Sequence, residues 1–161
     1  MSQNNKVKAT ADIYYEAMML HRAFSEYWQS ELRAATTWHR NSILEVTLLH
    51  TRALMDFFQR RRTGPNPAKD DDVLATDYGF PETSFEFFSV LSKRINKRII
   101  HLTYARGDVR HEDRHWDFPS FVPPILDRCR EFLTYLLDSG QPRANWPGDA
   151  DIRTLIQELQ R

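Results

Sequence analysis

One stretch organises this chain, and it reads Lys93-Arg94-Ile95-Asn96-Lys97-Arg98-Ile99-Ile100-His101-Leu102-Thr103-Tyr104-Ala105-Arg106. At about 100° per residue, as in an α-helix, its apolar residues and those just before it share one narrow sector of the helix surface. These core-facing positions are Phe88, Leu91, Ile95, Ile99 and Leu102. A second stripe, formed by Arg94, Arg98 and His101, lies about a quarter-turn away. The stretch therefore predicts a packed helix with a cationic shoulder that a phosphate group could reach.

The stretch resembles the signature of the HEPN family (higher eukaryotes and prokaryotes nucleotide-binding), in which a histidine follows an arginine after four to six residues. Arg94 and His101 enclose six residues. The continuation from Asn96 to Arg106 also resembles uncharacterised bacterial helical proteins of this kind. The family usually has a polar residue directly after the arginine, whereas this chain has Ile95 there. Arg94 or Asn96 could therefore fill the first polar position of the motif.

The resemblance implies a metal-independent endoribonuclease of the toxin or defence type, which uses no cofactor. In such an enzyme the RNA 2′-hydroxyl attacks the neighbouring phosphate in a composite cleft between two subunits. The implied catalytic residues are Arg94, Asn96 and His101. His101 would move the proton, and Arg94 would hold the phosphate with its planar fork.

The resemblance also assigns RNA or phosphate binding to Lys97, Arg98, Tyr104 and Arg106, and it implies partners other than RNA. These are a second copy of the chain, a cognate antitoxin or a nucleotidyltransferase. Aromatic residues in excess of one core stripe are compatible with a homodimer interface. They include Tyr14, Tyr15, Phe85 and Phe87.

An alternative function fits the same residues. Many HEPN-like bundles look inactive, so the chain could serve as an RNA-binding, antitoxin-like or scaffold partner without turnover. The cationic stripe also has an interpretation without any ligand: it is a solvent-exposed helix face, and His101 is a packing residue.

A metal site is the less favoured alternative. His21, His50 and His101 fall on three predicted helices and could converge on one metal, as in DinB-type bundles. Those bundles, however, have two histidines close in sequence on one helix. Residues 111–115 match the zincin pattern His-Glu-x-x-His, but a glycine and a proline bracket them and no apolar period supports a helix there. We therefore predict no metal ligands.

The composition limits the class of protein. The 161 residues suit a single domain, and 22 basic against 22 acidic residues give no net charge, so any phosphate site must be local. Cys129 is the only cysteine, which excludes an internal disulfide and fits a reducing compartment. The first residues lack the apolar core of a signal peptide, so we expect none, and no apolar run approaches the roughly 20 residues of a membrane span. We expect a cytoplasmic protein with no membrane segment.

Helical periodicity along the chain predicts an all-α fold, an antiparallel four-helix bundle with one or two short accessory helices. Residues 1–8 are polar and expected to fray, and residues 141–161 are expected to form a linker and a short terminal helix. The four main helices are predicted over residues 9–35, from a capping box at Ser42 and Glu45 to the arginines at residues 60–62, over residues 81–104, and from Ser120 or Pro123 to residue 137.

Two charged triplets flank the predicted loop after the second helix. Residues 60–62 are three arginines, which suit the negative end of a helix. Residues 70–72 are three aspartates, which predict an acidic turn. A calcium loop is disfavoured there, because the alternating oxygen ligands and the glycine of such a loop are missing.

Overall fold

A computed structural model describes residues 3–32, 36–64, 67–100, 116–140 and 147–160. Within these ranges the regular structure is helical and contains no strand, which confirms the predicted all-α class. The α-helices are α1 (Gln3–Leu32), α2 (Thr37–Gln59), α3 (Phe88–Ile95), α4 (Phe118–Asp138) and α5 (Asp149–Glu158). A short 3₁₀ helix, Ala75–Tyr78, precedes α3, and a π turn, Asn96–Ile100, continues it. None of the described helices is both long and apolar enough to cross a membrane.

Helices α1 and α2 pack along each other as an antiparallel pair. Two glutamate–histidine contacts show the direction, because Glu16 lies 2.7 Å from His50 while the later Glu26 lies 3.5 Å from the earlier His39. The short connection between the two helices requires this arrangement.

The N-terminal helix begins at Gln3, six residues before its predicted start at residue 9, and therefore includes residues 3–8, which were predicted to fray. The Tyr78 hydroxyl donates a hydrogen bond of 2.8 Å to the carbonyl oxygen of Lys6. The first turns of α1 are thereby tied to the 3₁₀ helix, a tertiary contact that the polar local sequence does not indicate.

The start of α2 differs from the predicted capping box. The helix begins at Thr37, because Thr36 is its N-cap and the Thr36 hydroxyl accepts a hydrogen bond of 3.2 Å from the backbone N–H of His39. Ser42 already lies inside the helix, where its hydroxyl donates to the carbonyl of Trp38 at 3.0 Å. The prediction that Ser42 and Glu45 cap this helix is therefore wrong.

The start of α3 also differs from its prediction. The helix begins at Phe88, whereas residues 81–87 remain outside it. Arg128 of α4 explains part of this difference, since it donates to the carbonyl of Pro81 at 2.9 Å and to the hydroxyl of Thr83 at 2.7 Å. These contacts favour a non-helical path over the local helix-start signals.

Phe132 of α4 is the centre of the core. Its side chain is fully buried, and its ring centroid lies 5.0 to 5.4 Å from those of Phe57, Tyr78 and Phe80. Edge-to-face pairs of this kind add about 0.5 to 1.5 kcal/mol each to the burial of the rings. The core thus joins α2, the 3₁₀ helix and α4, and α3 adds Leu91 and Ile95 to it.

The aromatics that suggested a dimer interface are mostly used within one chain. Tyr14 and Phe85 are buried, and Phe87 packs against the core. Tyr15 is the exposed member of the four, with 44% of its surface accessible. The excess of aromatics is therefore largely explained by the monomer.

Candidate phosphate-binding site

The motif identified in the sequence lies where α3 widens into the π turn. The α-helix ends at Ile95, and residues 96–100 follow with the wider hydrogen-bonding pattern of a π-helix. Such turns are rare and are frequent at functional sites. The described candidate residues are Arg94, Asn96, Lys97 and Arg98. His101, Tyr104 and Arg106 lie outside the described residues, so their roles stay predictions.

Arg94 and Arg98 lie against the indole ring of Trp116. The guanidinium carbon Cζ is 4.2 Å from the ring centroid for Arg94 and 5.7 Å for Arg98. Trp116 is buried and comes just before α4, so this Trp116 face, consisting of the three residues, joins α3 to α4. Such cation–π contacts contribute about 0.5 to 2 kcal/mol. Stacking uses the face of a guanidinium and phosphate binding uses its edge, so the two roles are compatible.

Asn96 and Lys97 lie instead in a groove between α2 and α3. This α2–α3 groove has a volume of about 570 Å³. Its lining residues are Arg52, Asp56, Arg60, Phe88, Ser89, Ser92, Lys93, Asn96 and Lys97. Neither arginine of the Trp116 face lines it. Two of the predicted catalytic residues, Arg94 and Asn96, are therefore on different faces of the same helix.

Arg52 organises the α2 side of the groove. Its Nε donates a hydrogen bond of 3.3 Å to the amide oxygen of Asn96, and its Nη1 forms an ion pair with Asp56 one turn along α2. Burial raises the pKa of Asp56 above its ordinary value, an effect that outweighs the lowering by Arg52 and Arg60. Burial therefore makes the ionised form of Asp56 unfavourable in free energy. Arg52 holds both Asp56 and Asn96 in place.

The α3 side of the groove contributes hydrogen-bond donors that have no partner. Ser92 is buried, and its hydroxyl oxygen has no hydrogen-bond partner among the described residues. Leaving a buried hydroxyl unpaired costs about 1 to 3 kcal/mol, which calls for an explanation such as a ligand. Lys93 and Lys97 are exposed and form no ion pair with the described part of the chain.

The groove carries a local positive charge. Its cations are Arg52, Arg60, Lys93 and Lys97, and Asp56 is its one carboxylate. Arg60 is compensated from outside the groove by Asp72 at 3.1 Å. Once the arginines are matched with their carboxylates, the charge of the two lysines remains. The groove is therefore a suitable site for a phosphate group in a chain of zero net charge.

A larger cavity of about 770 Å³ lies beside α1 and α2, and its charge does not suit phosphate. The charged residues in its lining are Arg22, Glu26 and Glu158, and the exposed Trp38 stands beside them. Burial lowers the pKa of His21, which also lines this cavity, so its imidazole is neutral near pH 7. The carboxylates therefore exceed the cations, and the cavity would repel an anion.

The three-histidine metal site receives no support from the two histidines that can be placed. His50 is buried and bound through Nδ1 to Glu16 at 2.7 Å, whereas His21 lines the cavity beside α1 and α2. Within the described ranges no group of three potential metal-ligating side chains occurs. The third histidine, His101, and the pattern at residues 111–115 are outside those ranges.

Comparison of the chain with protein-family models, with curated proteins and with solved structures gives no match. The resemblance to HEPN proteins therefore rests on the motif, and a proposal for function has to rest on the chemistry of the groove.

Proposed function

We propose that the protein binds RNA through phosphate groups held in the α2–α3 groove. The observation that carries this proposal is the uncompensated charge of Lys93 and Lys97 beside the unpartnered hydroxyl of Ser92. Lysines and hydroxyls are common phosphate ligands, and contacts to phosphate supply most of the affinity for nucleic acid. The choice of RNA over other polyanions comes from the resemblance of residues 94–106 to the HEPN signature.

The remaining lining of the groove suits the same ligand. The amide nitrogen of Asn96 can donate, because Arg52 Nε already occupies its oxygen. Phe88 lines the groove and lies 5.9 Å from the Arg52 guanidinium, so it offers an aromatic surface beside the phosphate site. Nucleobases stack on such surfaces with little sequence preference. We therefore expect binding of single-stranded RNA with weak sequence selectivity.

A second candidate function, metal-independent endoribonuclease activity, is favoured by the Trp116 face. Arg94 and Arg98 both contact Trp116 there, and His101 is the histidine of the motif that begins at Arg94 in the sequence. In this proposal His101 removes the proton of the 2′-hydroxyl, whose oxygen then bonds to phosphorus while the 5′-oxygen leaves. The products are a 2′,3′-cyclic phosphate and a 5′-hydroxyl. Asn96, which lies in the groove, would orient RNA rather than take part in the chemistry.

The test combines binding with cleavage. We expect fluorescence polarisation to show that Lys93→Met with Lys97→Met weakens the affinity for single-stranded RNA about tenfold per lysine. Lys8→Met, an exposed lysine on α1, is the matched control and should bind like the wild type. Equal affinities for the wild type and the double variant would contradict the proposal.

Cleavage decides between the two candidates. Incubation of RNA with the protein and EDTA should give 2′,3′-cyclic phosphate ends if the protein is a metal-independent nuclease. His101→Ala should then reduce the rate by about a hundredfold or more. Binding without any cleavage identifies the alternative, a non-catalytic RNA-binding or antitoxin-like protein.

The proposed partners follow from the resemblance and are testable separately. Exposed apolar side chains at Tyr15, Trp38 and Leu49 on α1 and α2 are available for a protein partner. We propose a homodimer, with an antitoxin or nucleotidyltransferase as further partner, in the cytoplasm. Light scattering that shows a monomer at high protein concentration would remove the composite cleft from the nuclease mechanism.

A further inference from the structure

We infer that the α2–α3 groove recognises a phosphomonoester, the terminal phosphate of an RNA strand, in preference to an internal phosphodiester. This inference rests on the proposed RNA binding and makes its substrate more specific. The distinguishing chemistry is charge and the number of acceptor oxygens. A phosphomonoester carries about 1.5 to 2 negative charges at pH 7 and three terminal oxygens, whereas a phosphodiester carries one charge.

The charge of the groove matches a dianion. Arg52 is paired with Asp56, and Arg60 with Asp72, so neither arginine adds net charge. Lys93 of α3 and Lys97 of the π turn contribute two positive charges four residues apart. An internal phosphodiester would neutralise only one of them.

The donors of the groove match the oxygens of the same group. The Ser92 side chain is 8% exposed, and its hydroxyl has no partner in the described chain. The Asn96 amide has its oxygen fixed by Arg52 at 3.3 Å, so its nitrogen is the part that can donate to a ligand. Together with the two ammonium groups, a hydroxyl and an amide provide four donor groups on one helix face. Three terminal oxygens can use this set more fully than the two of a diester.

The size of the groove fits the end of a strand. Its volume of about 570 Å³ lies within the roughly 300 to 1,000 Å³ that is usual for pockets that enclose a small ligand. A nucleotide with its terminal phosphate can occupy such a space, with Phe88 beside the base or sugar. The remaining strand would continue outward past Lys93 and Lys97, which are exposed.

The experiment compares the ends of one RNA sequence. Single-stranded RNAs with 2′-O-methyl groups, which prevent cleavage, would carry a 5′-phosphate, a 3′-phosphate or hydroxyls at both ends. A hydroxyl-ended RNA longer by two nucleotides controls for the added charge, because its two extra internal phosphates carry about as much charge as one phosphomonoester. Adenosine 5′-monophosphate tests the phosphomonoester without a strand. Affinities would be measured by fluorescence polarisation or competition at one salt concentration.

We expect one of the phosphorylated RNAs to bind about tenfold more tightly than both hydroxyl-ended RNAs, and the preferred end identifies the orientation of the strand. Ser92→Ala should remove most of this preference, and so should Lys93→Met with Lys97→Met. Ser92→Ala removes a hydroxyl that has no partner, so the fold should be retained. Ser42→Ala and Lys8→Met, both distant from the groove lining, are the matched controls and should keep the preference.

Two results would overturn the inference, and they differ in what they say about function. Equal binding of all four RNAs to the wild type would refute recognition of a terminal phosphate while leaving RNA binding in place. No binding of any RNA or of adenosine 5′-monophosphate would refute both proposals. Binding of the monophosphate without binding of RNA would support the phosphomonoester site and contradict the proposed RNA function.

Discussion

The chain has two cation-rich stretches, residues 60–62 after α2 and residues 93–98 along α3, and the fold uses them differently. Each arginine of the first stretch forms an ion pair with an acidic residue of the following loop. The pairs are Arg60–Asp72 at 3.1 Å, Arg61–Glu82 at 2.7 Å and Arg62–Asp77 at 2.8 Å. In the second stretch, Lys93 and Lys97 have no such pair within the described structure. The first stretch is structural, and the second keeps charge available for a ligand.

This difference shows that the role of a run of cations depends on whether the fold places acidic residues beside it. The three arginines were predicted to close α2, and the structure has Arg60 as the C-cap of the helix, with Arg61 and Arg62 beyond it. Arg62 also donates to the carbonyl of Asp72 at 2.7 Å, and the side chain of Asp72 accepts from the backbone of Lys69 at 2.7 Å. The acidic turn therefore serves to anchor the loop between α2 and α3.

Reversing the charge of the second stretch should have the largest effect. We expect Lys93→Glu with Lys97→Glu to weaken RNA binding by more than the roughly hundredfold expected of the double methionine variant, since attraction to phosphate is replaced by repulsion. The free energy of unfolding should change by less than about 0.5 kcal/mol, because both side chains are exposed. Polarisation assays and urea denaturation measure the two quantities. If the glutamate variant is unfolded, its poor binding says nothing about the lysines, and Lys93→Gln with Lys97→Gln is tested in its place.

Removing an acid of the first stretch should affect stability instead. Asp72→Ala deletes the partner of Arg60 and the acceptor for the Lys69 N–H, so we expect a loss of about 1 to 3 kcal/mol in the free energy of unfolding. The RNA affinity should not fall, because no charge attractive to phosphate is lost. Asp70→Ala, two residues earlier in the same acidic turn and exposed, is the matched control. A variant as stable as the wild type would show that the first stretch does not anchor the loop.

Asp56 contacts Arg60 of the first stretch and lines the groove beside the lysines of the second. Its replacement should strengthen RNA binding modestly. Asp56→Asn removes the carboxylate that lines the groove and competes with phosphate for Arg52. We expect a gain in RNA affinity of a few-fold near pH 7, which corresponds to less than about 1.4 kcal/mol. Weaker binding by this variant would indicate that the position of Arg52 matters more than the charge of Asp56.

Asp56 should also make stability depend on pH in a defined direction. Burial raises its pKa above the ordinary 3.8, so the folded protein binds more protons than the unfolded chain between that value and the raised pKa. The stability associated with this carboxyl is therefore complete below about pH 3.8 and lost as the pH rises through the raised pKa. In urea titrations, Asp56→Asn should gain stability relative to the wild type as the pH rises across this window. A constant difference between the two proteins would contradict the direction of the shift.

The smallest effect is expected at Arg61. Its pair with Glu82 is exposed, with 59% of each side chain accessible, so solvent screens the attraction. Arg61→Met should change the free energy of unfolding by less than about 0.5 kcal/mol and leave RNA affinity unchanged. A marked loss of RNA binding here would extend the site into the first stretch.

Periodicity predicted the helical segments more accurately than the local signals predicted where they begin. The apolar repeat of α4 and α5 is strong; α4 ends one residue after its predicted end, and Ser120, one of its two predicted starts, lies two residues after the observed start at Phe118. The starts of α2 and α3 depended on short cap signals, which occur by chance. At α3 the deciding contact is from Arg128, a residue 47 positions beyond Pro81, and no local pattern contains that information.

The candidate site was only partly predictable for a related reason. Asn96 and Lys97 were identified from the motif, whereas Arg52, Asp56 and Ser92 were missed. Arg52 and Asp56 left a signal, an opposite-charge pair at i and i+4 in an otherwise buried helix. Ser92 left none, because its burial depends on the packing of α3 against α2. The π turn after Ile95 also breaks the regular helical period. Positions calculated for an ideal α-helix therefore do not apply beyond that residue.

The salt dependence of RNA affinity tests the central claim most directly, because it counts the phosphate contacts. For single-stranded RNA the slope of log K against log salt changes by about 0.7 for each phosphate contact. We predict that Lys93→Met with Lys97→Met reduces the magnitude of the slope, by about 0.7 if both lysines contact one terminal phosphate and by about 1.4 if they contact two phosphates, whereas Arg61→Met leaves it unchanged. An identical slope for the wild type and the double variant would show that the α2–α3 groove does not bind RNA phosphate.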